Sequence, residues 1–482
     1  MKYETVIGLE VHAQLNTDTK IFCSCSTKFG MPPNTNICPV CTGQPGVLPV
    51  LNKKVVEYAI KSALALECQI APYSIFARKQ YFYPDLPKNF QISQYELPFA
   101  EHGKILLDSG QQIGITRIHL EEDAGKLLHE IGSRSIDGSF VDYNRTGVPL
   151  TEIVSDPDMR TPEQAYEYLT SLKIILEYIE ISDCNMEQGS LRCDANISLR
   201  PVGQKEFGTK VEMKNMNSFR GVQKALAYEI ERQHGILEDN KKIVQETRLW
   251  DAKNEKTISM RTKEQAHDYR YFPEPDLLPL QINNNWINEI KSKMPELPRQ
   301  KKTRFIDEYN LSDYDAGLVT AEKPLALFFE STLNSLKTSA DEKSKTAKSV
   351  ANWITVELLG KLNSSGKTIS ESPIKSDHLA ELIVNINNNT ISGKIAKIVF
   401  EEMFNTGKQP GIIIKEKNLV QITDETAIIS IIEEVIKENP KIVEQYKSGK
   451  EKAIMFLIGM VMKKSKGKAN PQIVTKKLKE KL

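Results

Sequence analysis

An unbroken apolar–polar alternation recurs in four segments of this chain, and it constrains the fold more than any other feature. In Gly8-Leu9-Glu10-Val11-His12-Ala13-Gln14-Leu15, the residues Leu9, Val11, Ala13 and Leu15 point one way and Glu10, His12 and Gln14 the other. In the segment from Leu191 to Arg200, the residues Arg192, Asp194, Asn196 and Ser198 share a face. Ile118-His119-Leu120-Glu121-Glu122-Asp123 and Leu150-Thr151-Glu152-Ile153-Val154 add further carboxylates. Successive strand residues face opposite sides, so each segment reads as a strand with one buried and one polar face. A polar face is ordinarily just solvated. These hold almost no lysine and many Glu, Asp, Asn and His, the donor set that suits Mg²⁺ carrying a polyphosphate.

At 482 residues the chain is long enough for two to four domains. Its formal net charge of +1 conceals an asymmetry. Residues 441–482 hold twelve lysines against three acids, while the remainder carries 52 basic and 60 acidic residues. Such a split suits either a basic appendage that meets a polyanion or a lysine-rich solvated end. Met1-Lys2-Tyr3-Glu4 begins no signal peptide, and the longest apolar run, residues 453–462, is too short to span a bilayer. Seven cysteines, some on core faces, suit a reducing compartment. The expectation is a cytoplasmic protein.

Mixed strands and helices without strict βαβ repetition predict an α+β fold for residues 1–293. Helices are expected over 52–68, from the Thr161-Pro162 start to about 181, and from Ser218 to a stop at Gly235. Pro295, Pro298 and Arg299-Gln300-Lys301-Lys302 mark a boundary. A helical domain is expected over 294–407, then a linker at Gly407-Lys408-Gln409-Pro410-Gly411 and a small helical tail over 408–482.

A cation bound to ATP needs converging carboxylates, which Glu10, His12, Glu121 or Glu122, Glu152 and Asp194 can supply. Periodicity does not choose between Glu121 and Glu122, which face opposite ways. Two basic, aromatic stretches, residues 76–89 and 261–276, could contact phosphates through Arg78, Lys79 and Lys88 and stack through Tyr81 and Tyr83. Either could also be an ordinary loop with aromatic anchors. Cys23 and Cys25, then twelve residues, then Cys38 and Cys41 have the spacing of a structural Zn²⁺ knuckle. Cys68, Cys184 and Cys193 read as buried single thiols. Residues 360–368 imitate a P-loop, but five residues separate the glycines and a helix precedes them, so spacing and context are both wrong. No G-x-G-x-x-G and no amidase signature occurs. In the tail, an apolar helix ends in Lys463, Lys464, Lys466 and Lys468 before Asn470-Pro471. Cations at a helix C-terminus are favourable in themselves, yet the cluster reads better as a phosphate-backbone contact.

Together, residues 6–15, 78–87, 119–125, 189–199, 267–276 and 463–471 closely resemble the B component of the bacterial tRNA-dependent amidotransferases, the Asp/Glu-tRNA(Asn/Gln) amidotransferase family, over essentially the whole chain. The resemblance implies a cradle-shaped catalytic domain related to the glutamine synthetase and guanido kinase fold, then an all-α domain and a small helical tail. It implies ATP- and Mg²⁺-dependent phosphorylation of the side-chain carboxylate of misacylated Glu-tRNA(Gln) or Asp-tRNA(Asn). Ammonia from glutamine would then displace the phosphate. The partners implied are a glutamine-hydrolysing amidase subunit and a small bridging subunit, in a heterotrimer. Mapped onto this chain, Glu10, His12, Glu122 and Glu152 resemble the metal and phosphate residues, with Glu121, Asp194 and Glu187 as further members. Lys79 and Tyr81, with Arg192 and Asn196, would hold ATP or the phosphorylated carboxylate, and Zn²⁺ on the four cysteines would be structural. Lys463, Lys464, Lys466 and Lys468 would contact tRNA.

Two rivals compete. A stand-alone ATP- and metal-dependent ligase for a small amino acid has no use for a basic tail. An inert tRNA-binding subunit has no use for Glu10, His12 and Asp194 on shared polar faces.

Overall fold

The computed structural model describes residues 2–482 apart from 132–133, 263–268, 337–338, 421–424, 451 and 466–467. Lys466 and residues 263–268 of the second aromatic stretch therefore lie outside the described residues. The chain forms two compact units, Met1–Leu297 and Pro298–Leu482. The division falls where Pro298 opens a helix, a few residues beyond the break expected at 293. No helix among the described residues is long and apolar enough to cross a membrane.

The first unit is α+β and is built on one nine-stranded sheet. Its strands are β1 (Tyr3–Gln14), β2 (Gln69–Ile70), β3 (Ala100–Leu106), β4 (Gln112–Glu122), β5 (Pro149–Ser155), β6 (Leu191–Pro201), β7 (Val211–Lys214), β8 (Glu246–Asp251) and β9 (Lys256–Thr262). Their spatial order is β9-β8-β7-β6-β1-β5-β4-β3-β2, antiparallel throughout except between β7 and β8. β1 lies centrally, paired with β6 on one side and β5 on the other. Its Ile7, Leu9, Val11 and Ala13 are buried against three helices, α1 (Lys53–Ala65), α2 (Pro162–Tyr178) and α3 (Phe219–Glu238), through Val56, Ile60, Leu169, Leu172, Val222 and Leu226. Each of the larger aliphatic side chains contributes about 1.5–3 kcal/mol of burial. A register slip of one residue would turn the acidic face into this core, which pins β1 in place.

Local chemistry sets the helix ends. Asn52 caps α1 by accepting from the Lys54 N–H at 2.9 Å. Thr161 and Gln164 form a reciprocal capping box at the start of α2. Gly235 does not stop α3 as expected. The helix runs on to Glu238, and the left-handed residue after it is Asn240, at φ 56°.

The second unit is helical. Helices Pro298–Tyr309, Lys323–Ser335, Ser376–Asn387 and Gly393–Thr406 bury Phe305, Phe329, Leu379, Leu382, Val399 and Phe400. The false P-loop lies at the end of helix Leu359–Ser364. The expected linker is only partly a loop. Gly407, at φ 70°, ends one helix, and Pro410 begins the short helix Pro410–Glu416, which buries Ile413 and Ile414. A separate cluster of buried residues, including Ile428, Ile432, Leu457, Val461, Val474 and Leu478, joins helices Glu425–Glu438, Ala453–Lys464 and Pro471–Lys481.

Candidate active site

Strand register decides which polar side chains meet. His12 of β1 lies opposite Glu152 of β5 and opposite Arg192 of β6, and Glu152 lies opposite His119 of β4. Cross-strand partners share a face, so His12, Glu152, His119 and Glu121 converge although they come from three strands. His12 Nε2 lies 3.1 Å from Glu152 and 3.6 Å from Glu121, and His119 Nε2 lies 3.2 Å from Glu152 and 3.8 Å from Glu121. One ligand atom each of His12, Glu121 and Glu152 fall within 4.8 Å of one another.

The electrostatics follow from burial. Burial alone would lower the His119 pKa, but Glu152 and Glu121 beside it lift it to about 9. His12 is raised against its own burial by the hydrogen bond and charge of Glu152. Burial works to raise the carboxylates, yet the two imidazoles hold Glu121 below its usual range and Glu152 well below. Two buried anions thus face two imidazoles whose protonated forms they favour. A divalent cation would meet the same two carboxylates with two positive charges, and the ligand atoms of His12, Glu121 and Glu152 are close enough to share one, so these residues fit such an ion. Two nitrogens beside two carboxylates suit Mn²⁺ at least as well as Mg²⁺.

The other expected residues are placed nearby or apart. Glu10 and Asn196 lie one step along the same face, with Asn196 Nδ2 donating to Glu10 Oε1 at 2.8 Å. Asp194, opposite Glu10, accepts from Lys214 Nζ, which also lies 3.2 Å from Glu212. Arg192 makes a bidentate pair with buried Asp123, both bonds 3.0 Å. Glu187 is exposed in the loop before β6, away from Asn196.

Glu122 does not join its neighbour Glu121. It points to the other side of β4, where Lys88 Nζ and the Ile92 N–H donate to Oε1, the latter at 2.9 Å. Lys88 and Glu122 line a cavity of ≈ 230 Å³ with Arg78, Glu274 and Cys41. Arg78 is held by Glu274 through bonds of 2.7 and 2.8 Å and by Asp276 at 3.2 Å. Strand Ala77–Gln80 pairs with both Phe90–Ser93 and Phe272–Pro273, so the two basic, aromatic stretches form one small sheet. There Lys79 Nζ sits 5.0 Å from the Tyr269 ring centre. Burial opposes its charge, but Glu121 raises its pKa. Burial, then Glu121, pushes the Tyr81 phenol up, and its hydroxyl meets Gln91 at 3.2 Å.

Cys23, Cys25, Cys38 and Cys41 converge, with Sγ atoms all within 4.8 Å. The Cys23 hydrogen bond pulls the Cys41 pKa down to about 4 against burial, with help from Lys20. Lys20 is fully buried, its Nζ 2.7 Å from Asn36 O and 3.6 Å from Cys41 Sγ. The four sulfurs fit a tetrahedral Zn²⁺. Of the remaining cysteines, Cys184 and Cys193 are buried and Cys68 is half-buried.

In the tail, Lys464 is taken up by Glu434 and Glu438 at 2.8 and 2.5 Å. Lys463 and Lys468 have no side-chain partner among the described residues. Sequence patterns alone did not single out His119, Asp123, Lys214 or Lys20. His119 carried a visible signal, since it shares the alternation of Glu121. Asp123 lies beyond the end of β4, and Lys214 and Lys20 are single lysines without a pattern.

The polar sheet face falls inside residues 5–288, which match the sequence model of the GatB/GatE catalytic domain, while residues 335–482 match that of the GatB domain. The chain is 57% identical to the B-subunit of the aspartyl/glutamyl-tRNA(Asn/Gln) amidotransferase of Carboxydothermus hydrogenoformans, covering 100% of this chain and 99% of the relative. It is 58% identical to the corresponding protein of Thermoanaerobacter pseudethanolicus, covering 100% of each, and 55% identical to that of Persephonella marina, covering 100% and 99%. With matches of this extent over both units, the chain belongs to the GatB family, the B-subunits of aspartyl/glutamyl-tRNA(Asn/Gln) amidotransferases.

Proposed function

We propose that the polar sheet face is where the side-chain carboxylate of misacylated Glu-tRNA(Gln) or Asp-tRNA(Asn) is activated and amidated. The protein is the GatB component of a ligase that forms a carbon–nitrogen bond. The observation that carries the site assignment is the convergence of His12, His119, Glu121 and Glu152 on one buried patch. The full-length match to amidotransferase relatives favours this reading over a stand-alone ligase for a small amino acid.

A carboxylate is a poor acyl donor because its leaving group would be oxide. Attack on the γ-phosphorus of ATP gives an acyl phosphate and ADP. Ammonia then attacks the acyl carbon, phosphate leaves, and a proton is released. A divalent ion held by His12, Glu121 and Glu152, with Glu10 nearby, would screen the repulsion between carboxylate and γ-phosphate. Lys79 stays charged under the field of Glu121 and supplies a fixed cation for the developing phosphate oxygens. Arg192, its charge offset by the bidentate bonds to Asp123, borders the same face as a fixed hydrogen-bonding group.

A cavity of ≈ 260 Å³ opens beside Glu10. Val6, Val154 and Phe207 line it, and Asn196 Oδ1, buried and without a hydrogen-bond partner among the described residues, adjoins it. An apolar slot with one unpaired acceptor suits an adenine ring and its amino group, so ATP is assigned there. The unit that holds it corresponds to a cradle of the glutamine synthetase and guanido kinase type. Ammonia would come from a partner amidase, with a small bridging protein completing the heterotrimer. The four cysteines hold structural Zn²⁺, and the tail lysines Lys463 and Lys468 meet tRNA phosphates. The decisive test is transamidation of both misacylated tRNAs with the partner proteins present. Failure on both substrates would sink the reading.

A further inference from the structure

Strand β4 changes face partway along its length. Ile113 and Ile115 are fully buried on the core side, and strict alternation would send residues 117, 119 and 121 after them. Instead Ile118 and Leu120 are fully buried on that side. The switch is a β-bulge. Ile115 lies opposite Ser155 and Arg117 opposite Val154, so β4 holds one residue more than β5 between the two pairs. The bulge brings His119 and Glu121 to the polar face, and it brings Arg117 there with them.

The acids around the bulge are engaged elsewhere. Asp156 N–H donates to Gly114 O at 2.8 Å, the Gly114 N–H to Asp158 at 3.0 Å, and the Thr116 hydroxyl to Asp156. Glu101 lies opposite Arg117 on β3 but is exposed. Arg117 Nε is buried and makes no hydrogen bond, and no carboxylate forms an ion pair with the guanidinium among the described residues. Arg192, on the same sheet face, has Asp123. A guanidinium carries several donors, and burying one unmatched costs free energy unless a ligand completes it.

Register gives Arg117 its place. It lies opposite Val154, and Val154 lies opposite Glu10, and both of these line the cavity assigned to ATP. His119, in the cluster, is two residues farther along β4, about 7 Å away. Arg117 therefore stands on the nucleotide side of the cluster, between the adenine slot and the residues that fit a divalent ion. Its planar, bidentate donors match phosphate oxygens.

We propose that Arg117 binds the β- and γ-phosphate oxygens of ATP and stabilises their charge as the phosphoryl group is transferred. The attacking carboxylate oxygen bonds to the γ-phosphorus, the bond from that phosphorus to the bridging oxygen breaks, and the electron pair leaves with ADP. Arg117 neither gains nor loses a proton. This inference rests on the ATP-dependent reading and on the cavity assigned to the nucleotide, and it adds a catalytic residue that plain alternation along β4 would bury.

The test uses the assembled amidotransferase and misacylated tRNA. Arg117→Ala should lower kcat for transamidation roughly 10³-fold while changing half-saturation for tRNA by less than about twofold. Added guanidinium should restore part of that turnover. Arg117→Lys, which keeps the charge without the bidentate geometry, should fall between, about tenfold below wild type. Wild-type turnover in Arg117→Ala would overturn the assignment, as would a loss that neither guanidinium nor lysine relieves, the mark of a structural role. A raised half-saturation for tRNA with unchanged ATP kinetics would also overturn it. If Arg117→Ala does not assemble on gel filtration, Arg117→Lys decides alone, and an unchanged kcat in it rejects the role. If the wild-type complex amidates neither tRNA, the broader reading fails. If it amidates normally and the variants match it, only the role of Arg117 fails.

Discussion

The polar sheet face and the lysine-rich tail both carry dense charge, yet the two regions hold it in opposite ways. On the sheet, His12, His119, Glu121 and Glu152 are held within hydrogen-bonding or near-contact distance and largely removed from water. Their protonation states depend on one another. In the tail, Lys464 and Lys481 sit on helix surfaces and pair with exposed Glu434, Glu438 and Glu433 of the neighbouring helix. Exposed pairs of that kind are screened by solvent and contribute little to stability. Charge density alone therefore does not separate the two regions, whereas burial with pairing across strands sets the proposed reactive site apart from the proposed binding surface.

The sharpest way to break this contrast is to neutralise one member on the sheet. Glu152→Gln or His12→Ala should lower transamidation by roughly 10³-fold or more, as expected when a preorganised electrostatic group is lost. Glutamine hydrolysis by the partner should survive at least in part. Wild-type-like turnover in either variant would place the chemistry elsewhere.

A chain ending at residue 420 removes the cluster that begins at Glu425 and should raise half-saturation for tRNA by about 10–100-fold at moderate salt. The salt slope should flatten, and turnover at saturating tRNA should largely recover. A loss of turnover that no tRNA concentration relieves would make the tail part of the chemistry.

The metal-free protein should show a pH signature that the tail lacks. The folded His119 pKa of about 9 exceeds its unfolded value of about 6.5. Its stabilising contribution is therefore complete below that unfolded value and lost as pH rises through about 9. The contribution is on the order of 3 kcal/mol, and His119→Gln should flatten that part of the stability–pH curve. Thermal unfolding from pH 6 to 10 measures it, and identical curves for variant and parent would remove His119 from the buried network.

The smallest effect sharpens the comparison within the tail itself. Lys463→Ala or Lys468→Ala should weaken tRNA binding by about 3–5-fold, whereas Lys464→Ala, whose charge Glu434 and Glu438 already offset, should change it by less than about twofold. Equal effects from all three, measured by filter binding at one salt concentration, would show that local pairing does not matter there.

The amino-acid sequence on its own determined which side chains share a face on each strand. Period-2 alternation is a local property of the backbone, and Glu10 with His12, or Asp194 with Asn196, could be read directly from it. It also determined the cysteine spacing, the capping of α1 and α2 and the basic excess of the tail. Full-length similarity determined the family. Only the tertiary structure decided which faces meet. β1 and β5 are more than a hundred residues apart, and nothing local sets their register, so the pairing of His12 with Glu152 and then His119 could not be read in advance. The same register resolved Glu121 from Glu122, turning one toward the imidazoles and the other toward Lys88. Packing elsewhere in the chain gave Arg78 and Lys464 carboxylate partners and so withdrew them from the pool of free cations. A charge's availability depends on what burial and long-range packing put beside it, and those partners lie far along the chain.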